Sequence, residues 1–109
     1  MTVKELLELT DFTVLALPHP EMQIDGCYIG DLLSWVMGRA NENNAWLTIM
    51  SNENVIAVAT LAEISVVILC ENVRPSAEII ELASDKGVNL LVSSRPIYET
   101  ALMLSRSEI

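Results

Sequence analysis

The sequence predicts an α/β fold, a single domain whose mostly parallel sheet is flanked by helices. Three observations predict it. Apolar, strand-like runs alternate with helical segments from Ala45 onwards. The connections between them are too long for hairpins but long enough for crossover helices. Residues 66–70 are apolar without interruption, as expected of a strand buried on both faces of a parallel sheet.

The first third of the chain is predicted to form a helix, a strand and a second helix. Thr2 followed by Glu5 matches the capping box, in which each side chain accepts a hydrogen bond at the start of a helix. Asp31 is expected to cap the second helix, and Gly38 to end it. These signals predict a helix at 3–9, a strand at 13–17, a loop at 21–26 and a helix at 32–37.

The remainder of the chain predicts a βαβαβα core. Ser76 opens one of its helices, and Lys86 with Gly87 closes that helix, because a cation and a glycine are both favoured at a helix C-terminus. The crossovers should be right-handed, but they permit more than one strand order. The predicted strands are 45–50, 65–70 and 88–92, and the predicted helices are 52–62, one that begins at 74–76, and one that begins after 94.

Composition narrows the classes of function. Hydrophobic residues make up 51% of the 109 residues, which excludes intrinsic disorder. Six basic against fifteen acidic residues give a net charge of -9, which argues against nucleic acid or an anionic membrane surface as a partner. No apolar run approaches the roughly 20 residues of a membrane span, and the start of the chain does not resemble a secretion signal. We therefore expect a cytoplasmic protein, and so much apolar surface in a small domain predicts an oligomer interface.

Metal and catalytic motifs are not found in the sequence. His19, Cys27 and Cys70 are the only histidine and cysteines, and their separations do not fit a zinc site. Phosphate-binding glycine loops are missing as well. We predict no metal site, no cofactor and no catalytic residue. An enzyme whose site forms only between two subunits is the least favoured hypothesis, and it would need His19 or the acidic residues.

A candidate ligand site lies where helices follow strands. Ligands of open parallel sheets bind beyond the carboxyl ends of the strands, where helix N-termini point. Ser93, Ser94 and Arg95 follow the last strand, and Ser51 and Asn52 follow the first strand of the core. Hydroxyls, backbone N–H groups and a guanidinium can together hold a phosphate or a carboxylate. The alternative is that a serine only caps the last helix while Arg95 is solvated.

A candidate interface surrounds residues 26–31. This segment has a glycine at each end of Cys27–Ile29, which predicts a tight turn or the close approach of a partner. Tyr28, Trp35 and Met37 are the residues that we assign to a dimer or partner surface. Core packing is the alternative role for Trp35, as it is for Trp46.

Six stretches carry a resemblance to a known family: residues 26–33, 44–49, 57–62, 66–69, 87–91 and 97–101. Together they resemble the DRTGG domain family, and the resemblance covers nearly all of residues 1–109 as one domain. One departure is clear, because the family's namesake Asp-Arg-Thr-Gly-Gly segment should fall at residues 51–55, which read Ser-Asn-Glu-Asn-Val. The resemblance implies a regulatory or accessory module, similar to those beside CBS domains in pyrophosphatases and within phosphotransacetylases. It also implies kinship with the non-kinase N-terminal domain of HPr kinase/phosphorylase.

Two hypotheses of function follow from these observations. The first is a non-catalytic, homodimeric regulatory module that senses a small anionic ligand such as a nucleotide. The second is a protein–protein interaction module without a small-molecule ligand. Binding that depends on Arg95 would favour the first hypothesis, and a protein partner lost on Trp35→Ala would favour the second.

Overall fold

A computed structural model describes residues 1–107 and 109 of the chain. Its elements follow one another as a helix and a strand, then four strands that are each followed by a helix. In chain order they are α1 (Val3–Leu9), β1 (Thr13–Ala16), β2 (Cys27–Ile29), α2 (Leu33–Arg39), β3 (Ala45–Thr48), α3 (Glu53–Leu61), β4 (Val66–Leu69), α4 (Ala77–Lys86), β5 (Leu90–Val92) and α5 (Ile97–Arg106).

The five strands form one sheet in the order β1-β5-β4-β3-β2. Strands β2 to β5 are parallel and lie side by side in chain order, while β1 is antiparallel to β5 at the opposite edge from β2. The predicted fold class, α/β with a mostly parallel sheet, is confirmed. The structure also fixes the strand order, which the sequence left open.

The two faces of the sheet have separate apolar cores. Because β2 to β5 advance in one direction, right-handed crossovers place α2, α3 and α4 on the same face. Trp46, Val67 and Leu90 point to that face and pack with residues of these helices. Leu47 and Ile68 point to the other face, which α1 and α5 cover.

Local helix signals account for most of the helices. Thr2 and Glu5 form the predicted capping box of α1. Ser76 accepts a hydrogen bond from the backbone N–H of Ile79 at the start of α4, and Gly87 ends that helix with a positive φ of 74°. These predictions are confirmed. Each depends only on residues within one helical turn of the helix end, which is why the sequence is sufficient to make them.

The region around β2 corrects three predictions. Residues 27–29 form a parallel strand beside β3 rather than a tight turn. Asp31 does not cap α2, because its carboxylate accepts hydrogen bonds from Thr48 Oγ1 at 2.6 Å and from the Ile49 N–H at 3.0 Å. Gly38 does not end α2 either, since the helix continues to Arg39.

The start of α5 corrects a further prediction. Its N-cap position is Pro96, and no side chain caps the helix there. The β5–α5 loop is therefore longer than expected, and both Ser93 and Ser94 lie in it.

A loop at the amino-terminal edge of the sheet connects β1 to β2 and crosses the strands between them. We call residues 18–25 the edge loop. The residues that precede β3, β4 and β5 are buried polar side chains, and all three hydrogen-bond to the backbone of this loop. Asn44 donates to Asp25 O at 2.6 Å, Ser65 donates to Gln23 O, and Asn89 accepts from His19 N at 2.9 Å and donates to His19 O at 2.8 Å.

No helix of the described residues is long and apolar enough to cross a membrane.

Candidate functional site

The carboxyl ends of β4 and β5 form the position in this sheet where a ligand crevice is expected. The chain leaves β4 towards α4 on one face, but it leaves β5 towards α5 on the other face. Adjacent strands whose connections diverge in this way leave a crevice between the loops, which is where ligands bind in open α/β sheets. Ser93, Ser94 and Arg95 belong to one of these two loops.

Backbone hydrogen bonds close this crevice in the structure. The Ser93 N–H donates to Leu69 O at 2.8 Å, the Asn72 N–H donates to Ser93 O at 2.9 Å, and the Glu71 N–H donates to Arg95 O at 2.8 Å. Glu71 and Asn72 reach these partners with φ values of 60° and 57°, in the left-handed region that L-residues seldom adopt. The two loops are therefore held together by an extension of the β4–β5 pairing.

Ser93 is a packing residue rather than an open hydroxyl. It is fully buried, and its Oγ lies 2.8 Å from Thr100 Oγ1 on α5. The same oxygen accepts a hydrogen bond from the Arg95 N–H at 3.2 Å. Ser94 is exposed beside it. Of the two serines, only Ser94 presents its side chain to solvent at the crevice.

Arg95 forms a two-pronged ion pair with Asp11, which lies between α1 and β1. The guanidinium nitrogens are 2.5 and 3.0 Å from the two carboxylate oxygens. Hydrogen bonding to Arg95 holds the pKa of Asp11 below its usual value, and the same contact raises the pKa of Arg95. Arg95 is therefore not simply solvated: its two-pronged binding geometry, which suits carboxylate and phosphate alike, is occupied by a carboxylate.

Ser51 and Asn52 lie on the same edge of the sheet but apart from Arg95. Asn52 caps α3, with its side-chain oxygen accepting from the Asn54 N–H at 3.0 Å, and Ser51 is half-buried. Strand β4 lies between β3 and β5, so two strand spacings, roughly 10 Å, separate the two loops. The predicted site residues therefore form two groups on either side of the end of β4.

The predicted interface residues lie on β2 and α2. Trp35 is 52% exposed, and the Arg39 guanidinium lies 3.8 Å above its ring. Trp46 is instead fully buried, with its indole N–H donating to Gly30 O at 2.9 Å, so the core alternative holds for Trp46 and not for Trp35. We call the surface around Trp35 the β2–α2 patch, and its exposed apolar residues are Leu32, Trp35 and Met37.

The thiols are poorly suited to chemistry at neutral pH. Loss of water around its thiol raises the pKa of Cys27 to about 11, although part of the residue is exposed, and burial raises the pKa of Cys70 as well. Within residues 1–107 and 109, no three His, Cys, Asp or Glu side chains are grouped so that they could hold a metal ion.

A comparison with known protein families identifies the family of this chain. The family model of the DRTGG domain matches residues 29–107. The chain belongs to the DRTGG domain family. No curated protein matches it. Five solved chains match, among them the crystal structure of the CBS and DRTGG domains of the regulatory region of Clostridium perfringens pyrophosphatase, complexed with its activator diadenosine tetraphosphate.

That match has a TM-score of 0.75 at 12% sequence identity, and it covers 94% of this chain. At this identity it shows a shared fold. It covers 45% of the other chain, so the DRTGG domain described here spans less than half of that regulatory region.

Two residues of the candidate site were missed by sequence analysis. Asp11, the partner of Arg95, is 84 residues away in the sequence, and Thr100, the partner of Ser93, lies inside a helix. An acidic residue just before an edge strand gives no local signal of its partner. The helical spacing of Thr100 from the apolar residues of α5 could have marked it as inward-facing.

Proposed function

We propose that this DRTGG domain is a non-catalytic regulatory module that forms a homodimer and senses a small anionic ligand such as a nucleotide. Membership of the family supports the regulatory role. The pyrophosphatase region of the same fold, crystallised with a nucleotide activator, supports the class of ligand. The kinship with the N-terminal domain of HPr kinase/phosphorylase belongs to the same proposal. So does a location in the cytoplasm, where nucleotides occur and thiols stay reduced.

The Asp11–Arg95 pair is the observation that carries the proposal to particular residues. A phosphate group can replace the carboxylate of Asp11 because both offer two oxygens to the guanidinium. Ser94 and the first backbone N–H groups of α5 lie beside Arg95 and would add donors to the bound phosphate. Since Asp11 connects α1 to β1, its release would loosen the edge strand from the β5–α5 loop. Ligand binding would thus be transmitted to the β1 edge of the sheet.

A thermal-shift titration with ATP, AMP and diadenosine tetraphosphate tests this proposal. A ligand that binds only the folded protein adds RT ln(1 + [L]/Kd), about 2.7 kcal/mol at a hundredfold excess over Kd. Arg95→Ala should abolish the rise in Tm. Asp11→Asn should strengthen binding, because it frees the guanidinium from its internal competitor, while Arg106→Ala on the exposed end of α5 serves as the matched control.

A rise in Tm that survives Arg95→Ala would contradict this site, and no rise with any of the three nucleotides would contradict nucleotide sensing. The distinctive arm of the test is Asp11→Asn, because a structural role for the ion pair predicts only loss of stability and no gain in affinity.

The β2–α2 patch supports the second candidate function, a protein–protein interaction module. Within the described residues β2 pairs with β3 and with no other strand, so its outer edge is open to a further strand. The exposed apolar side chains of the patch belong to the segment that follows β2, and a dimer or partner surface would bury them. Light scattering after gel filtration tests the homodimer. Trp35→Ala should convert a dimer to a monomer, and Tyr98→Ala, equally aromatic and 72% exposed on α5, should leave the mass unchanged.

A further inference from the structure

A groove follows the seam between α3 and α4 on the outer side of the molecule. One half, of about 370 Å³, lies between the two helices, and a second half, of about 360 Å³, continues to the edge loop. Thr60 and Lys86 line both halves, so the two form one continuous surface. The apolar residues along it include Ile56, Ala57, Ala59, Leu61, Leu82 and Val88.

Leu61 is the residue that most needs a covering partner. It lies at the end of α3, lines the half of the groove between the two helices and is 70% exposed, more than any other exposed aliphatic side chain of the described residues. An exposed leucine alone is ordinary, but here it continues a row of apolar side chains along a concave surface. Such a surface is where globular proteins receive an apolar ridge from another molecule.

The charged residues that line the groove indicate the charge of the partner that it would bind. Glu53 lines one half and Glu63 the other, while Lys86 is the single lysine or arginine among the lining residues. The C-terminal ends of α3 and α4, which carry partial negative charge, point to the same end of the groove. The groove is therefore negative on balance, within a chain whose net charge is -9, and this charge favours a basic partner.

We propose that the α3–α4 groove is a docking site for a short amphipathic helix of a partner protein, with an apolar stripe flanked by Lys or Arg. Helix α3 has nine residues, a length of about 13 Å. This matches a bound helix of two to three turns whose anchors are spaced i, i+3/i+4 and i+7. The site is separate from the loops at Arg95 and from the β2–α2 patch, and it requires neither a ligand nor a dimer.

Two helical model peptides test the proposal by fluorescence anisotropy and by backbone amide NMR. Both carry leucine at helical spacing, one with lysine and the other with glutamate at the remaining positions. The lysine peptide should bind and change the NMR chemical shifts of the backbone amides of residues 56–61 and 82–86. Its affinity should fall as the salt concentration is raised. Leu61→Ser should weaken binding at least about tenfold, because the leucine side chain is buried against the bound peptide. Leu9→Ser on α1, where the leucine is 61% exposed, is the matched control and should have no effect.

Charge variants separate docking in this groove from general attraction to an acidic protein. Glu63→Gln should weaken binding of the lysine peptide, and Lys86→Gln should strengthen it, each by about two- to fivefold. The proposal is overturned if the two peptides bind equally, if neither binds, or if Leu9→Ser weakens binding as much as Leu61→Ser. Amide shifts spread over the whole surface would overturn it as well.

Discussion

Replacing Asn89 with alanine tests how the edge loop is held to the sheet. Asn89 lies just before β5 and is 1% exposed. Its side chain accepts from His19 N at 2.9 Å and donates to His19 O at 2.8 Å and to Ser65 O at 2.9 Å. The side-chain amide of Asn89 thus joins the edge loop to Ser65, the residue before β4, by hydrogen bonds. Alanine removes all three bonds and cannot replace any of them.

The expected cost follows from those three bonds. A hydrogen bond within a protein contributes about 0.5–1.5 kcal/mol net, and a buried polar group left without a partner costs about 1–3 kcal/mol. The carbonyl oxygen of Ser65 is in the interior, so leaving it without a donor has the larger cost in free energy. The His19 groups are nearer to solvent and can be hydrated. We expect a loss of about 3 kcal/mol in the free energy of unfolding. For a chain of this size that lowers Tm by about 15 °C.

Urea denaturation measured by circular dichroism and by the fluorescence of buried Trp46 gives the free energy directly. The midpoint should fall while the m-value stays the same, because the same surface is exposed on unfolding. Asn54→Ala is the matched control: this exposed asparagine near the start of α3 should change stability by no more than about 0.5 kcal/mol. A loss below 1 kcal/mol for Asn89→Ala would refute the reasoning, since the amide would then not be what holds the loop.

Three further predictions concern cysteine chemistry, a turn and an ion pair. Because the pKa of Cys27 is about 11, its reaction with an aromatic disulfide should be slow at pH 8 and accelerate about tenfold per pH unit until about pH 11, whereas in urea-unfolded protein the rate should level off near about pH 8.5. Gly87→Ala should cost about 1–2 kcal/mol by thermal unfolding, since φ is 74° and the new Cβ would lie 2.9 Å from a histidine ring. Gly38→Ala, at the next-to-last residue of α2 with nothing within 4 Å of the new Cβ, should stabilise the protein by about 0.5 kcal/mol. The folded-state pKa of Asp11 is lowered, so its pairing with Arg95 stabilises the protein fully above about pH 4 and is lost as pH falls below that value; an acid titration of Arg95→Ala should lack this loss.

Elements with local signals could be predicted from the sequence. The capping box of α1, the Ser76 and Gly87 ends of α4, and the uninterrupted apolar strand β4 each depend on neighbouring residues. Strand β2 could not be predicted in this way. It has only three residues, none of them fully buried, and it exists because β3 offers a free edge.

The candidate site was harder to predict because its contacts are distant in the sequence. Asp31 has the position of a helix cap, yet the end of β3 provides better donors for its carboxylate. Ser93 looks like a cap as well, but α5 covers it and places Thr100 against its hydroxyl. The pairing of Arg95 with Asp11 spans 84 residues, and no local pattern connects them. The sequence places these residues at the carboxyl ends of the strands, but it gives no sign that Ser93 and Arg95 are paired with Thr100 and Asp11.

The position of β1 has a consequence for how the chain folds during synthesis. Within the described residues β1 pairs in the sheet with β5 alone, which is the last of the five strands in chain order, and the edge loop is anchored in part by Asn89. Strands β2 to β4, in contrast, can pair with one another as they emerge, because they are neighbours both in sequence and in space. We therefore expect β1, the first strand of this sheet to be made, to be among the last to dock. The nascent domain carries an unpaired β-strand until Val92 has emerged, and a chaperone has that time to act on it.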